Sequence, residues 1–257
     1  MNMLKGIPPL PGIFTLAALA GLVLTPAAAD AEEACGQDNR HWLFEEAQEN
    51  AGFAFVQLQR GEADQVQDPA GPGNRVAHLT AGPKKRGKVG KADYVHRFEP
   101  LQAGTVISMQ ARFFFPPDTP LNSIILMDLE CASCGMDTNP GIRLYLRKGL
   151  LRVDRSKIGI RQPFLSTVPR LLQPGIWHHI TWQVTLGKGT EGHSLVTLDG
   201  EVVSDARGTT ILSQEIVSQH ADIRVQEQVD RFQVGLTANS NKQAVGMFLD
   251  DVRFCRL

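Results

Sequence analysis

Three observations predict an all-β chain of jelly-roll type, with two antiparallel sheets packed face to face: ten short apolar or alternating stretches, closely spaced turn residues between them, and almost no helical periodicity. The stretches are 75–79, 93–98, 106–115, 123–130, 142–146, 151–154, 178–185, 194–198, 231–238 and 247–254. Gly104, Pro116-Pro117, Pro140-Gly141, Lys148-Gly149, Pro174-Gly175 and Asp199-Gly200 punctuate them. Asp199-Gly200 lies between Leu198 and Glu201-Val202-Val203 and signals a hairpin, because an Asp-Gly pair tolerates the positive φ of a tight turn. Segment 214–228 is the one competitor for a helix, and its Ile216, Val217, Ile223 and Val225 fit helical spacing only in part. Residues 42–50 read as a short helix or an irregular lead-in. No period of repeat length recurs, which excludes propellers and solenoids.

Residues 1–29 read as an export signal. Lys5 precedes the apolar run 13–24, and Pro26-Ala27-Ala28-Ala29 supplies small residues for a cleavage site. A run of about 12 apolar residues is too short to cross a bilayer. Cleavage after Ala29 leaves 257 less 29, or 228, residues as one domain over 30–257, and cleavage after Ala31 is the neighbouring option. Cys35 follows Glu32-Glu33-Ala34, which is no lipoprotein signal. The mature chain is expected to be secreted or periplasmic, with no membrane span once the signal is removed. With 26 Lys+Arg against 27 Asp+Glu, the net charge of −1 gives no electrostatic case for nucleic acid or an anionic membrane as partner.

An oxidising compartment permits disulfides. Cys35 and Cys255 lie near the two ends of the mature chain, and Cys131 and Cys134 form a C-x-x-C. Three pairings exist, and the simplest joins Cys35 to Cys255 and Cys131 to Cys134. A redox role for the C-x-x-C would need a helix start after a strand. Gly135 and the loop residues Thr138-Asn139-Pro140-Gly141 follow instead, so a structural staple is the reading. No second C-x-x-C or H-x-x-x-H completes a zinc site.

Every second residue of a strand shares a face. On the polar side this gives Tyr94 and His96; Ser108, Gln110 and Arg112; Asp128 and Glu130; Arg143, Tyr145 and Arg147; and Arg231, Gln233 and Thr237. Ile107, Met109, Phe113, Ile125, Met127, Leu129, Ile142, Leu144, Leu146, Phe232, Val234 and Leu236 supply the core. Such a polar set is either an ordinary solvated sheet face or a groove for a polyhydroxy, anionic chain. Lys84-Lys85-Arg86-Gly87-Lys88 reads as a mobile surface loop rather than a glycan clamp. His178 and His179 point to opposite faces and cannot share a metal.

Three segments resemble the concanavalin A-like lectin/glucanase superfamily, and within it the jelly-roll polysaccharide lyases of heparin-lyase-like, alginate-lyase-like and glucuronan-lyase-like kind. These are Pro174-Gly175-Ile176-Trp177-His178-His179-Ile180-Thr181-Trp182-Gln183-Val184 with Val196-Thr197-Leu198-Asp199-Gly200-Glu201, then Phe232-Gln233-Val234-Gly235-Leu236-Thr237, and Met247-Phe248-Leu249-Asp250-Asp251-Val252. Where the lyases place R-x-E, this chain has Lys91-Ala92-Asp93. Where they carry Q-x-H it has Asp128-Leu129-Glu130, and Thr237 stands where a catalytic Tyr is usual. The resemblance implies a polysaccharide partner and a groove on the concave sheet. Elimination would use Tyr94, His96, Arg143 and Tyr145 as reacting groups, with Lys91, Gln110, Arg112, Asp128, Glu130, Arg147, Arg231 and Gln233 binding substrate. The alternative is a non-catalytic glycan-binding or envelope module. The Asp128/Glu130 pair also suits glycoside hydrolysis, but the third acid of E-x-D-x-x-E is missing. No cofactor is required. Structural calcium is common in the fold, and Asp128, Glu130, Asp250 or Asp251 would be its oxygen donors.

Overall fold

Apolar and polar residues alternate along most of the chain, and the computed structural model turns that alternation into two sheets around one core. It describes residues 35–257 apart from 37, 47, 48 and 137, so the expected export signal lies outside the described residues. The strands are β1 (Arg40–Trp42), β2 (Phe55–Gln59), β3 (Gly61–Gln67), β4 (Arg75–Ala81), β5 (Gly90–Gln102), β6 (Val106–Phe114) and β7 (Ile124–Glu130). They continue as β8 (Gly141–Arg147), β9 (Leu150–Asp154), β10 (Trp177–Thr185), β11 (His193–Leu198), β12 (Glu201–Arg207), β13 (Gln228–Asn239) and β14 (Val245–Arg256). An eight-stranded sheet runs β12-β11-β10-β6-β14-β4-β3, with β1 also on β14. A six-stranded sheet runs β2-β5-β13-β7-β8-β9. The all-β jelly-roll sandwich is the observed fold.

All ten predicted stretches are strands. β12 is the strand that the Asp199-Gly200 hairpin signal announces, and β1, β2 and β3 have no counterpart among the ten stretches. β2 (FVQLQ) and β3 (GEADQVQ) lie at sheet edges and bury little, so their apolar signal is weak. The candidate helix of 214–228 shrinks to α1 (Gln214–Ser218), whose first turn is capped by the Ser213 side chain accepting from the Ile216 N–H. Trp42 closes β1, and a 3₁₀ turn follows at Glu49–Gly52. Asp199 and Gly200 take φ of 52° and 80°, the paired positive values of a type I′ hairpin.

Between the sheets, Phe113, Trp182, Phe232, Phe254, Leu79, Met109 and Met127 are fully buried. Each contributes roughly 1.5–3 kcal/mol by leaving water. The Trp182 indole N–H finds Ser194 Oγ at 3.0 Å, which satisfies its polar end. Bulges interrupt β7 between Ile125 and Met127, so Ile124 and Leu126 fill the core and Ile125 moves to the polar side opposite Tyr145.

The chain changes sheets twice at one corner, from β2 to β3 through Arg60 and from β4 to β5 through residues 82–89. The crossings touch backbone to backbone. A Cβ on Gly90 would lie 2.1 Å from the Gly82 carbonyl oxygen, and one on Gly61 would lie 2.2 Å from that of Lys91. Only glycine fits there.

The two ends of the described domain meet as expected. Arg40, His41 and Trp42 pair with Phe254, Arg253 and Val252, and Cys35 is bonded to Cys255 with Cα atoms 5.5 Å apart. Cys131 is bonded to Cys134. The terminal bond spans 220 residues of sequence, so breaking it releases a large loop in the unfolded chain. The Cys35→Ser/Cys255→Ser variant is expected to lose about 3 kcal/mol, below the chain-entropy ceiling, read as a lower urea midpoint. An unchanged midpoint would mean that β1–β14 pairing alone secures the ends.

Candidate functional site

The polar face of the six-stranded sheet is built by register. One row crosses all six strands as Phe55, Val95, Gln233, Asp128, Arg143 and Asp154. The adjacent row holds Arg97, Arg231 and Glu130, and on the other side Gln57 lies opposite Asp93. Towards β9, Ile125, Tyr145 and Arg152 form a row, with Arg147 beyond them. Lys157, in the turn after β9, reaches back over the face to Glu130.

The carboxylates lie deepest. Asp93 is 0% exposed, Asp128 3% and Glu130 4%, with Gln233 at 1% among them. Glu130 accepts from Lys157 Nζ through one oxygen and from Gln233 Nε2 at 2.6 Å through the other. Arg143 Nε stands 3.9 Å from Asp128 Oδ1, while its Nη2 donates to Asp154 Oδ2 and Ser156 Oγ at 3.0 Å each. Lys91 Nζ donates to Gln57 Oε1 at 3.3 Å. The Arg97 and Arg231 guanidinium groups flank the Phe55 ring at 4.9 and 5.8 Å.

Burial holds the Asp93 carboxyl well above the usual range, with Lys91 opposing and Asp128 and Glu130 adding to the rise. Asp128 is pushed up to about 6 by burial and by Glu130, against the pull of Lys157 and Arg143. Around these four acids, counting Asp154, stand seven bases: Lys91, Arg97, Arg143, Arg147, Arg152, Lys157 and Arg231. The face is therefore basic although the chain is nearly neutral.

Nine buried side-chain atoms lack a hydrogen-bond partner among the described residues, and eight belong to this cluster. The acceptors are both Asp93 oxygens, Asp128 Oδ1, Gln233 Oε1 and Thr237 Oγ1. Of these, Thr237 lies beside the Asp128 carboxyl and draws it down, while Asp128 Oδ1 faces Arg143 Nε beyond hydrogen-bond reach. The donors are Nε of Arg143, Arg152 and Arg231. Buried polar groups are nearly always paired, so such a concentration sets this face apart from the rest of the described residues.

The structure brings Lys91, Asp128, Glu130, Arg143, Tyr145, Arg147, Arg231 and Gln233 to one face. It does not bring the other four sequence candidates there. Tyr94 and His96 point into the core, because on β5 the polar side is Lys91, Asp93 and Arg97, and Ala92, Tyr94, His96 and Phe98 take the other side. Burying the Lys91 and Arg97 charges would cost far more than burying a phenol and a neutral imidazole, and this favours the observed register even though it leaves Asp93 buried beneath them. Tyr94 packs on Phe44 and Phe53 with ring centroids 5.2 and 4.9 Å away, and burial pushes its phenol up to about 12. His96 packs against Trp42, Phe98 and Phe254, and burial, helped by Arg40, lowers it to about 4. It is neutral at pH 7. Gln110 and Arg112 do face outward, but from β6 in the eight-stranded sheet, where Arg112 stands 3.6 Å from Asp250 and 4.9 Å over Trp177.

Asp93, Arg97, Arg152, Asp154 and Lys157 are not among the sequence candidates. Arg152 and Asp154 are legible as strand alternation; on β5 the alternation that selects Tyr94 and His96 excludes Asp93 and Arg97, and Lys157 sits in a turn, where no periodicity announces it. The four carboxylates suggested for calcium divide two and two between opposite sheets. Asp128 and Glu130 face Arg143 and Lys157, while Asp250 and Asp251 face Arg112, Arg253 and His41. They do not fit one ion, and no group of three or more His, Cys, Asp or Glu among the described residues is arranged to hold a metal.

The fold is a two-sheet β jelly roll, and one of its sheet faces is charged. The solved structures similar to it include endo-β-1,4-glucuronan lyase from the fungus Trichoderma reesei, at 16% identity and TM-score 0.60, covering 84% of this chain and 94% of that one. The cellulose-induced protein Cip1 is similar at 13% identity and TM-score 0.58, covering 84% and 96%. The alginate lyase Aly36B is similar at 9% identity and TM-score 0.53, again covering 84% and 96%. At such identities the likeness is one of fold. No protein-family model and no curated protein matches the sequence. Among the described residues no helix is long and apolar enough to cross a membrane.

The raised Asp128 has a consequence for stability. Its unfolded value is ~3.9, so the folded chain holds the extra proton between about pH 4 and 6. The stability this confers is complete below about pH 4 and is lost as pH rises through about 6. Asp128→Asn is expected to change stability little at pH 4 and to raise it by on the order of 2 kcal/mol at pH 8, measured by urea unfolding at both. Equal effects at the two pH values would show that Asp128 titrates normally.

Proposed function

We propose that this is an exported carbohydrate-active protein that holds an anionic, uronate-bearing polysaccharide across the polar face of the six-stranded sheet and cleaves it by β-elimination. The observation that carries the reading is the gathering of unpartnered buried donors and acceptors on a face with seven bases and four acids. The basic layer suits carboxylates on the polymer, and the mixed donors and acceptors suit its hydroxyl groups. The likeness in fold to glucuronan and alginate lyases agrees with that substrate class, and two disulfides agree with an oxidising compartment.

In elimination the C5 proton leaves, the C4–O bond breaks, a C4=C5 double bond forms and the leaving oxygen gains a proton. Negative charge grows on the C5 carboxylate as the proton departs, so a guanidinium held there lowers the barrier. Arg143, tied by Asp154 and Ser156, and Arg231, braced on Phe55, fill that role. Tyr145 carries the one phenol on this face, since Tyr94 is turned inward, and transfers the proton. The Asp128/Glu130 pair stays beneath as counter-charge that keeps the bases in place.

A second reading is a glycan-binding module without catalysis. It is favoured by the inward turn of His96, which leaves this face without the histidine base that the lyase pattern carries.

Incubation with glucuronan, alginate, heparin-like and hyaluronan-like polymers, followed by ultraviolet absorbance of the unsaturated uronate, separates the readings. Product is expected with at least one. Arg143→Ala is expected to weaken binding or turnover by about tenfold or more. Tyr145→Phe is expected to abolish product while leaving binding near wild type. Binding without product in the wild type would favour the module, and neither signal would remove carbohydrate action altogether.

A further inference from the structure

The residues 84–88, read from the sequence as a mobile surface loop, are exposed and turn tightly on themselves. Lys85 and Lys88 exchange both backbone hydrogen bonds at 3.0 Å, around Arg86 and Gly87 with φ of 50° and 79°. The base of the hairpin is the glycine corner. Arg60 Nη2 donates to the Lys88 and Pro83 carbonyls at 2.7 and 3.3 Å, and Lys84 N–H donates to the Asn241 carbonyl at 2.8 Å. Buried Asn239 donates to the Ala81, Gly82 and Gln243 carbonyls, which brings the turn carrying Lys242 alongside.

Six cations thus converge on one corner: Arg60, Lys84, Lys85, Arg86, Lys88 and Lys242. All are exposed, and none forms an ion pair among the described residues. The backbone bridge sets Lys85 directly opposite Lys88, and like charges so placed destabilise a hairpin. These like charges stand side by side with no acid paired to them among the described residues, which suits an anionic ligand. Position gives its class. The hairpin leads straight into β5, and Lys91, three residues past Lys88, is the first side chain of that strand on the polar face. Lys91 thus stands on the edge of the face that lies nearest the corner.

We propose that this corner is a second, distal binding site for an anionic polysaccharide, engaging the part of the polymer that extends beyond the polar face. The proposal rests on the reading that the face takes a uronate polymer. Two sites on one chain raise affinity for long polymers without changing how a short oligomer binds.

The test is the variant Lys84→Gln/Lys85→Gln/Arg86→Asn/Lys88→Gln, with Asn at 86 because it tolerates positive φ. The probes are polymeric glucuronan and alginate and the tetramers of each, titrated at low and moderate salt. Polymer affinity is expected to fall at least about tenfold at low salt, with a shallower salt dependence, while tetramer binding stays at the wild-type level. The charge-keeping variant Lys84→Arg/Lys85→Arg/Lys88→Arg is expected to bind polymer like wild type, which separates charge from folding. Polymer affinity within about twofold of wild type in the first variant, with wild-type binding intact, overturns the distal site and leaves the face untouched. Tighter binding to duplex DNA or to phosphatidylserine vesicles than to either polymer overturns the assignment to polysaccharide. A wild-type chain that binds neither polymer nor tetramer overturns both readings.

Discussion

The six-stranded sheet depends on how β13 is seated between β5 and β7. Its register sets Gln233 against Val95 on one side and Asp128 on the other, and Arg231 against Arg97 and Glu130. The same register sends Phe232 and Val234 into the core. A slip of one residue would exchange these sets, placing a guanidinium and a carboxamide among aromatic rings. The charged face and the apolar core are therefore two outcomes of one constraint.

Within that register the acids and bases are layered. Carboxylates packed this closely would repel, and burial alone would drive them neutral. Lys157 and Gln233 hold Glu130, and Arg143 spans Asp128 and Asp154, so repulsion is offset from above. The bases that do this remain the outermost groups. A polymer carboxylate meeting the face competes with Glu130 and Asp128 for the same cations, so binding and the internal charge balance are coupled. Removing one acid should alter both.

The fold was readable because ten strands carry full apolar patterns and turn residues mark their ends. The edge strands β2 and β3 were not, since an edge buries too little to leave a pattern. Most of the face was readable by alternation, yet β5 shows where alternation misleads. Tyr94, His96, Asp93 and Arg97 are all polar by type, and the two parities look alike until the cost of burying charge is compared with that of burying a neutral ring. Gln110 and Arg112 failed for another reason: alternation places a side chain on a face but does not say which sheet the strand joins. That depends on pairing between distant segments, here β6 with β10 and β14. Lys157 depends on a turn doubling back over the sheet, which no local pattern encodes.

The glycine corner divides what the chain must keep from what it is free to vary. Gly61, Gly82 and Gly90 pack too closely to accept even a methyl group, so the paths of both crossings are fixed. The hairpin tip above them touches nothing that its side chains hold in place. Its charge can drift, by single substitutions, without disturbing the sandwich below. Descendants of this sequence could thus change which polymers they retain while conserving the framework, and the corner is where such divergence would first be found.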